Sequence, residues 1–399
     1  MDLLRKTALL VSFATLLTAC GGEEKTPPVW ETRLLPATPV EHIAASHDDM
    51  ILDAFGDLVT LANVTTDGDP TTPAVDAHHQ ILLIKQATNG DLIWQSLLDY
   101  PGEVGSPYEV ESDADGNLYL AGDGFVMKTD RYGQLLWQDT LDGLALSITV
   151  TDDRVYVPGN ITRIYDLNGN LQLSVNNGDI YPWEVVVTDS GDIIQATWTA
   201  ITRHDSYGNL IWSAPAPSDV TTKARVKLDS QENVYVSYLS NGGDSSGNTA
   251  AARLIKVSDT GSVQWNRYIP DNRRSSNYYK SGNVDLHITS DGDLLNVTSG
   301  TKGRQLTLLN SSTGQVIWEK VHNGEGRGDE SHLDSSDNLY IVGSSNPQKY
   351  DADGNVLASG EMASTNTQNS LAVIGNRMYV GGVVYEDSIF KLYSAAFEN

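Results

Sequence analysis

Ala87-Thr88-Asn89-Gly90-Asp91-Leu92-Ile93-Trp94 is a phrase that the chain keeps rewriting. A polar run ends in Gly, an aliphatic residue follows two places later, and Trp comes two places after that. The phrase returns at Gly133-Gln-Leu-Leu-Trp137, Gly208-Asn-Leu-Ile-Trp212, Gly261-Ser-Val-Gln-Trp265 and Gly314-Gln-Val-Ile-Trp318. Gly169-Asn-Leu-Gln-Leu173 and Gly354-Asn-Val-Leu-Ala358 keep the turn and lose the Trp. The spacing averages about 44 residues, a period characteristic of propeller blades.

A second phrase alternates with the first, best seen in Asp113-Ala-Asp-Gly116-Asn117-Leu118-Tyr119. Close variants start at Asp53, Asp229 and Asp334, and looser ones lie near Asp152, Asp189, Asp291 and Ile374, making eight in all. Asp, Asn and Gly build tight turns, through side-chain-to-backbone bonds and left-handed backbone. The flanking runs are β-branched, aromatic or alternating, as strands require. The first strand of a unit precedes the Asp turn (Val40–Ala45, Trp183–Thr188), the second follows it (Leu118–Ala121), the third is like Phe125–Thr129, and the fourth carries the Trp. Eight Asp hairpins face only seven Gly turns. The last unit lacks its fourth strand after Ser388–Tyr393, and Val29-Trp30-Glu31-Thr32-Arg33-Leu34-Leu35 is a Trp strand without a hairpin. The expectation is therefore an all-β, eight-bladed propeller of four-stranded blades, closed by an N-terminal strand that leaves no long open edge.

The 26 Lys and Arg against 52 Asp and Glu give a formal charge of −26. Such a surface repels phosphate backbones and argues against a nucleic-acid partner. At the N-terminus, Arg5 and Lys6 precede a short apolar run, Ala8 to Leu17, too short for a spanning helix of ~20 residues. It ends in Leu17-Thr18-Ala19-Cys20, which resembles the lipobox of bacterial lipoproteins. That resemblance implies removal of residues 1–19, lipidation (palmitate among the acyl chains) of Cys20, the only cysteine, and a mature charge of −27. Gly21 in place of Asp implies the outer membrane rather than inner-membrane retention. Residues 20–28 read as lipidated Cys and tether, residues 21–28 reaching at most ~28 Å, and 29–399 as the propeller. Whether it faces the periplasm or the cell surface stays open.

The Gly-x-Val-x-Trp turns, clearest at Leu309–Trp318, resemble PQQ-like β-propeller repeats. Eight such blades on a lipobox are similar to the propeller lipoproteins of the bacterial outer-membrane β-barrel assembly machine. The resemblance covers roughly residues 29–397 and implies a scaffold that binds a protein partner, with the Trp residues packed between blades. Two readings of other classes stand beside it: a quinoprotein-like or hydrolytic enzyme using the channel, and a surface carbohydrate-binding protein.

Sites for those alternatives are sparse. No cysteine pair or ligand trio suits PQQ, no paired carboxylates stand out as catalytic, and no cofactor is expected. Glu111, Asp113 and Asp115, alternating before Gly116, offer oxygens to a calcium ion, although the same residues form an acidic turn. Asp76-Ala-His78-His79 is a sparse zinc seed, and Arg327-Gly328-Asp329 a chance tripeptide. The loops expected to be long, Asn63–Gln80, Ser240–Ala251, Pro270–Asn283 and His322–Glu330, all fall on one face, and the tight turns on the other. One of these loops, with the strand before it, gathers Arg267, Arg273, Arg274, Tyr278, Tyr279 and Lys280. Basic and aromatic side chains in so acidic a chain mark a candidate partner-binding site.

Overall fold

The computed structural model describes residues 25–34, 43–67, 77–101, 105–177, 181–240, 251–270, 283–300, 303–323, 328–343, 346–361, 367–386 and 389–398. Within them there is no helix. The strands form eight antiparallel sheets in sequence order, each running from an inner to an outer strand. In blade two one strand, Leu118–Thr129, bends at Gly122–Gly124 and serves as both second and third strand. Blade eight takes its outer strand from the other end of the chain: Trp30–Leu34 pairs antiparallel with Ile389–Glu398, Trp30 opposite Ala396 and Leu34 opposite Leu392.

The Asp turns have a specific chemistry. Asp113 accepts the backbone N–H groups of Asp115 and Asn117 at 3.0 and 2.9 Å, and its second oxygen accepts Asn117 Nδ2 at 2.8 Å and the Tyr119 hydroxyl at 3.0 Å. Asp229 and Asp334 repeat the arrangement with Tyr235 and Tyr340. A lysine from the third strand then lies over each ring, Lys128 on Tyr119 at 4.7 Å, Lys256 on Tyr235 at 5.0 Å and Lys349 on Tyr340 at 5.1 Å. The Asp, Asn and Tyr of the phrase thus bond to one another, and its aliphatic residues Leu118, Val234 and Leu339 are buried in the sheet interior.

The Gly-to-Trp phrase joins neighbouring blades. Each Trp lies on the Gly turn of the next blade, Trp318 on Gly354, and four donate the indole N–H to a carbonyl there: Trp94 to Arg131 O, Trp137 to Leu167 O, Trp212 to Asp259 O and Trp265 to Ser311 O, at 2.8–3.1 Å. Gly314 shows why Gly recurs. Its φ is +66°, and a Cβ would sit 2.7 Å from the Trp265 ring. A side chain there would be strained by its backbone and blocked by the indole. Trp30 makes the same contact across the closing seam, donating to Thr88 O at 2.9 Å and packing on Gly90.

Two seams lack the Trp: between blades three and four Leu173 takes its place on Gly208, and between blades seven and eight Ala358 occupies the position and Ile374-Gly375-Asn376 is a hairpin of the other kind. Here the chain adds a fifth strand. Lys25–Thr26, in the stretch read as tether, pairs in parallel with the outer strand Val356–Gly360 of blade seven, and Glu361 N donates to Thr26 O at 2.7 Å. Residues 27–29 then cross to blade eight, where Val29 N donates to Ala396 O at 2.7 Å. Residues 25–34 therefore span a seam that has no Trp, the one between blades seven and eight.

Candidate functional site: the channel and the loop face

The inner strands turn their polar residues toward the axis. Alternation puts Glu109 and Glu111, Arg225 and Lys227, Asp285 and His287, and Glu330 and His332 on the channel side of their strands, each pair straddling one residue that points away. Asp49 joins them from blade one and Glu184 from blade four. The inner edge of each innermost strand has no further strand to pair with, and these side chains bond across to the next blade. Asp49 accepts Val110 N at 2.9 Å, Glu109 Ile148 N at 2.9 Å, Glu111 Val150 N at 2.7 Å, Glu184 Val226 N at 2.8 Å and Glu330 Leu371 N at 2.7 Å. Thr149 Oγ1 donates to Val185 O at 2.8 Å, and Ser331 Oγ to Asp285 Oδ2 at 2.6 Å. Arg225 Nε stands 3.7 Å from Asp285 Oδ1. Together these contacts cross seven of the eight seams.

The arrangement crowds like charges. Burial in the narrow bore pushes the carboxyls up: Asp49 to about 6, against the pull of bonds from Val110 and Met50, and Glu111 to about 7, with Asp49 and Glu184 adding to the rise. Glu109 and Glu330 are raised further by burial and by neighbouring carboxylates. Asp285 goes the other way, because His287 and Arg225 outweigh its burial. Arg225 keeps 35 % of its side chain accessible and is held charged by Asp285, Glu184, Glu109 and Glu330, which outweigh its own burial. Each of the five main clamps spends a carboxylate oxygen on backbone, which suits a structural ring.

The candidate residues lie apart. Glu111 faces the channel and clamps Val150, whereas Asp113 is spent on its turn, and Asp115 lies exposed on the turn face. Among the described residues no group of three His, Cys, Asp or Glu is placed to hold a metal ion. Arg267, on the outer strand Val263–Ile269, donates to Gly314 O at 3.1 Å and Thr313 O at 3.0 Å, both in the neighbouring Gly turn. Arg273, Arg274, Tyr278, Tyr279 and Lys280 lie outside the described residues, as does Cys20. His79 belongs to the third strand of blade one, Ala77–Gln86.

The two faces of the disc differ. All Asp and Gly turns lie on one face, and eight of them open on Asp. The other face carries the second-to-third-strand connections and the passages between blades. There, blade one extends its central hairpin to Asp67 and back from Ala77, so much of the expected Asn63–Gln80 loop is strand. Between blades two and three the same face holds a cavity of about 240 Å³, lined by Leu141, Leu144, Ile161, Asn160 and Arg163 among others. It arises where the short second and third strands of blade three, Arg154–Val157 and Ile161–Asp166, stand beside the ten-residue outer strand of blade two, Leu135–Leu144. Trp198, 43 % exposed, lies on that face in blade four.

A family model described as "Outer membrane protein assembly factor BamB" matches residues 79–302, more than half of the chain. No curated protein matches it in sequence. Among solved structures, BamB from Moraxella catarrhalis superposes with a TM-score of 0.56 at 13% identity, covering 92% of this chain and 99% of that one. The Dos1 propeller gives 0.61 at 11% identity, over 92% and 95%. Kuenenia stuttgartiensis hydrazine synthase gives 0.52 at 14% identity, over 75% and 97%. At these identities the structural matches speak for the propeller fold alone.

Proposed function

Because the chain belongs to the family described as outer membrane protein assembly factor BamB, we propose that it is a non-enzymatic propeller scaffold, anchored in the outer membrane through a lipid on Cys20. Its partner is a protein of the outer-membrane assembly machinery. The family match carries this reading. Its loop face supports it with an exposed Trp198, a cleft at Ile161 and freedom from the Asp-capped turns that charge the opposite face. Aromatic and arginine side chains dominate binding hot spots, so the basic stretch Arg273 to Lys280 is the assigned grip, with Arg267 holding the neighbouring blade rather than the partner. The channel carboxylates supply no reacting constellation in this reading. They are seam clamps, and calcium at Glu111, Asp113 and Asp115 plays no part.

Replacing Arg273, Arg274, Tyr278 and Tyr279 with Ala should leave the melting profile unchanged and abolish co-purification of the assembly machine's β-barrel subunit. Truncating a hot-spot cluster costs upward of ~2 kcal/mol, enough for at least a tenfold loss. Co-purification at the same salt concentration and wild-type yield would move the site elsewhere.

A further inference from the structure

The turn face breaks its polar pattern at one place, between blades one and two. The first hairpin of a blade fixes its first residue through backbone N–H bonds and leaves the third residue's side chain in solvent. Asp115, Ser190, Gln231, Asp291 and Ser336 fill that third place in blades two and four to seven. Blade one puts Phe55 there, 55 % exposed. The Gly turn of blade two, Asp130 to Gly133, carries Arg131 and Tyr132 in its middle. No other Gly turn has a cation in the second place, and Tyr207 of blade four, the matching Tyr, follows Ser206. The fold asks nothing of these side chains. Asp53 takes the backbone N–H of Phe55 and Asp130 that of Tyr132, each at 2.9 Å, and any residue would supply those groups.

The three side chains touch one another. Phe55 reaches across the seam onto Gly116 of blade two, where a Cβ would meet its ring at 2.5 Å. The Arg131 guanidinium lies 5.8 Å from the Phe55 ring centroid and 4.9 Å from that of Tyr132, so one cation is held against two rings. Both Arg131 and Tyr132 are exposed. Lys85 also stands near Phe55, at 5.5 Å, but is buried and paired with Asp53 and Asp57. Among the described residues the Arg131 guanidinium has no ion pair and no hydrogen bond, and only its backbone carbonyl is engaged, by Trp94. A guanidinium stacked on rings keeps its planar N–H fork open to a carboxylate.

We propose that the Phe55, Arg131 and Tyr132 stack is a peptide-binding site for a second polypeptide, on the face opposite the loops. It takes an Asp or Glu side chain on the Arg131 fork and lays that residue's apolar neighbours against the two rings. Charge sets the occupant. The turns around the fork are capped by Asp, so a polyanion is repelled, and a single carboxylate among apolar residues is not. A neutral sugar needs several free polar side chains to fix its hydroxyls. Here Asp53 spends both carboxylate oxygens on its turn and Lys85, and Asp113 both on its own turn. Arg and Tyr are also the side chains that binding hot spots favour. The site depends neither on the lipid anchor nor on the loop-face partner.

An array of short, end-blocked peptides tests this on the purified full chain. The central residue is Asp, Glu, Asn, Gln, Lys or Ser, and its neighbours are Phe, Leu or Ser in every combination. Binding is expected where Asp or Glu lies beside Phe or Leu. For the best binder, fluorescence polarisation should show a loss of at least about tenfold on Arg131→Gln, on Phe55→Ser and on exchange of the peptide's acid for its amide. Arg131→Lys, which keeps the charge without the planar fork, should lose most of the binding too. Tyr207→Ser should change nothing, and all variants should melt with the wild type. No binding, or binding that ignores the central carboxylate or Arg131, overturns the site. Full binding by Arg131→Lys overturns the stacked fork. An early melt of Phe55→Ser and Arg131→Gln with unaltered binding makes the stack a seam fastening and overturns the site as well. So does self-association that Arg131→Gln abolishes, which assigns the stack to a second copy.

Discussion

Deleting Trp30–Leu34 should turn a cooperative melt into an early, broad one. The strand supplies five residue pairs to blade eight and places Trp30 on Gly90, across the seam where the ring closes. Net hydrogen bonds are worth about 1 kcal/mol each, and burying much of a Trp adds about 2–3 kcal/mol. The loss is thus on the order of 5 kcal/mol, or a fall in melting temperature of roughly 10 °C. It also leaves Ile389–Glu398 as a long bare edge, which invites pairing between copies. A synthetic peptide of residues 25–34 should restore much of the loss in trans. A variant that melts like the intact chain would mean that blade eight closes in some other way.

The second large effect is a stability that rises on mild acidification. Glu111 sits at about 7 and Asp49 at about 6 in the folded chain, with Glu109 and Glu330 also raised. In the unfolded chain all four titrate near 4. Between those values the native state holds protons that the unfolded state lacks, so stability falls as pH rises through about 5 to 7. The penalty is absent below the unfolded values and complete above the folded ones. Asp49 and Glu111 each cost on the order of 2 kcal/mol at pH 8, after a discount for the solvent access of the bore, and Glu109 and Glu330 act in the same direction. The turn carboxylates act in the opposite sense. Burial would raise Asp113, Asp229 and Asp334, but their Asn and Tyr bonds outweigh it and hold them low. Their contribution is lost only as pH falls below about 4. Chemical denaturation should therefore show a maximum near pH 5, and Glu111→Gln should flatten the slope between pH 5 and 8. A plateau over that range, or a maximum above pH 7, would show that the clamps titrate normally.

Turns were the legible part of this molecule. Gly314 needs φ +66° and no Cβ, and Asp113 needs Asn117 and Tyr119 at fixed offsets, so both constraints are written locally and repeat. Strand ends were less so: Phe125–Thr129 continues the preceding strand instead of starting afresh, because Gly124 bends the hairpin without a break. The channel ring was missed. Its signal was present as charged-x-charged triplets on some of the inner strands, Glu109-Val-Glu111, Arg225-Val-Lys227 and Asp285-Leu-His287. They have no fixed residue identity, because a carboxylate, a hydroxyl or a guanidinium can each bridge a seam. The fifth strand at Lys25–Thr26 left no local mark, since two residues pairing with an edge obey no pattern. Arg267 read as part of the partner-binding cluster because its partners, Thr313 O and Gly314 O, lie 46 and 47 residues away.

Whether the loop face docks a protein of the assembly machinery is the central question, and a photo-crosslinking amino acid placed one site at a time in living cells answers it most directly. Ile161 and Trp198 probe the loop face, and Tyr132 and Tyr207 the turn face, and all four are more than 40 % exposed. Adducts containing the assembly machine's β-barrel subunit should form from Ile161 or Trp198 and be absent from Tyr132 and Tyr207. Adducts from the two tyrosines alone, or no adduct with any outer-membrane assembly component from any of the four sites, would contradict the scaffold reading.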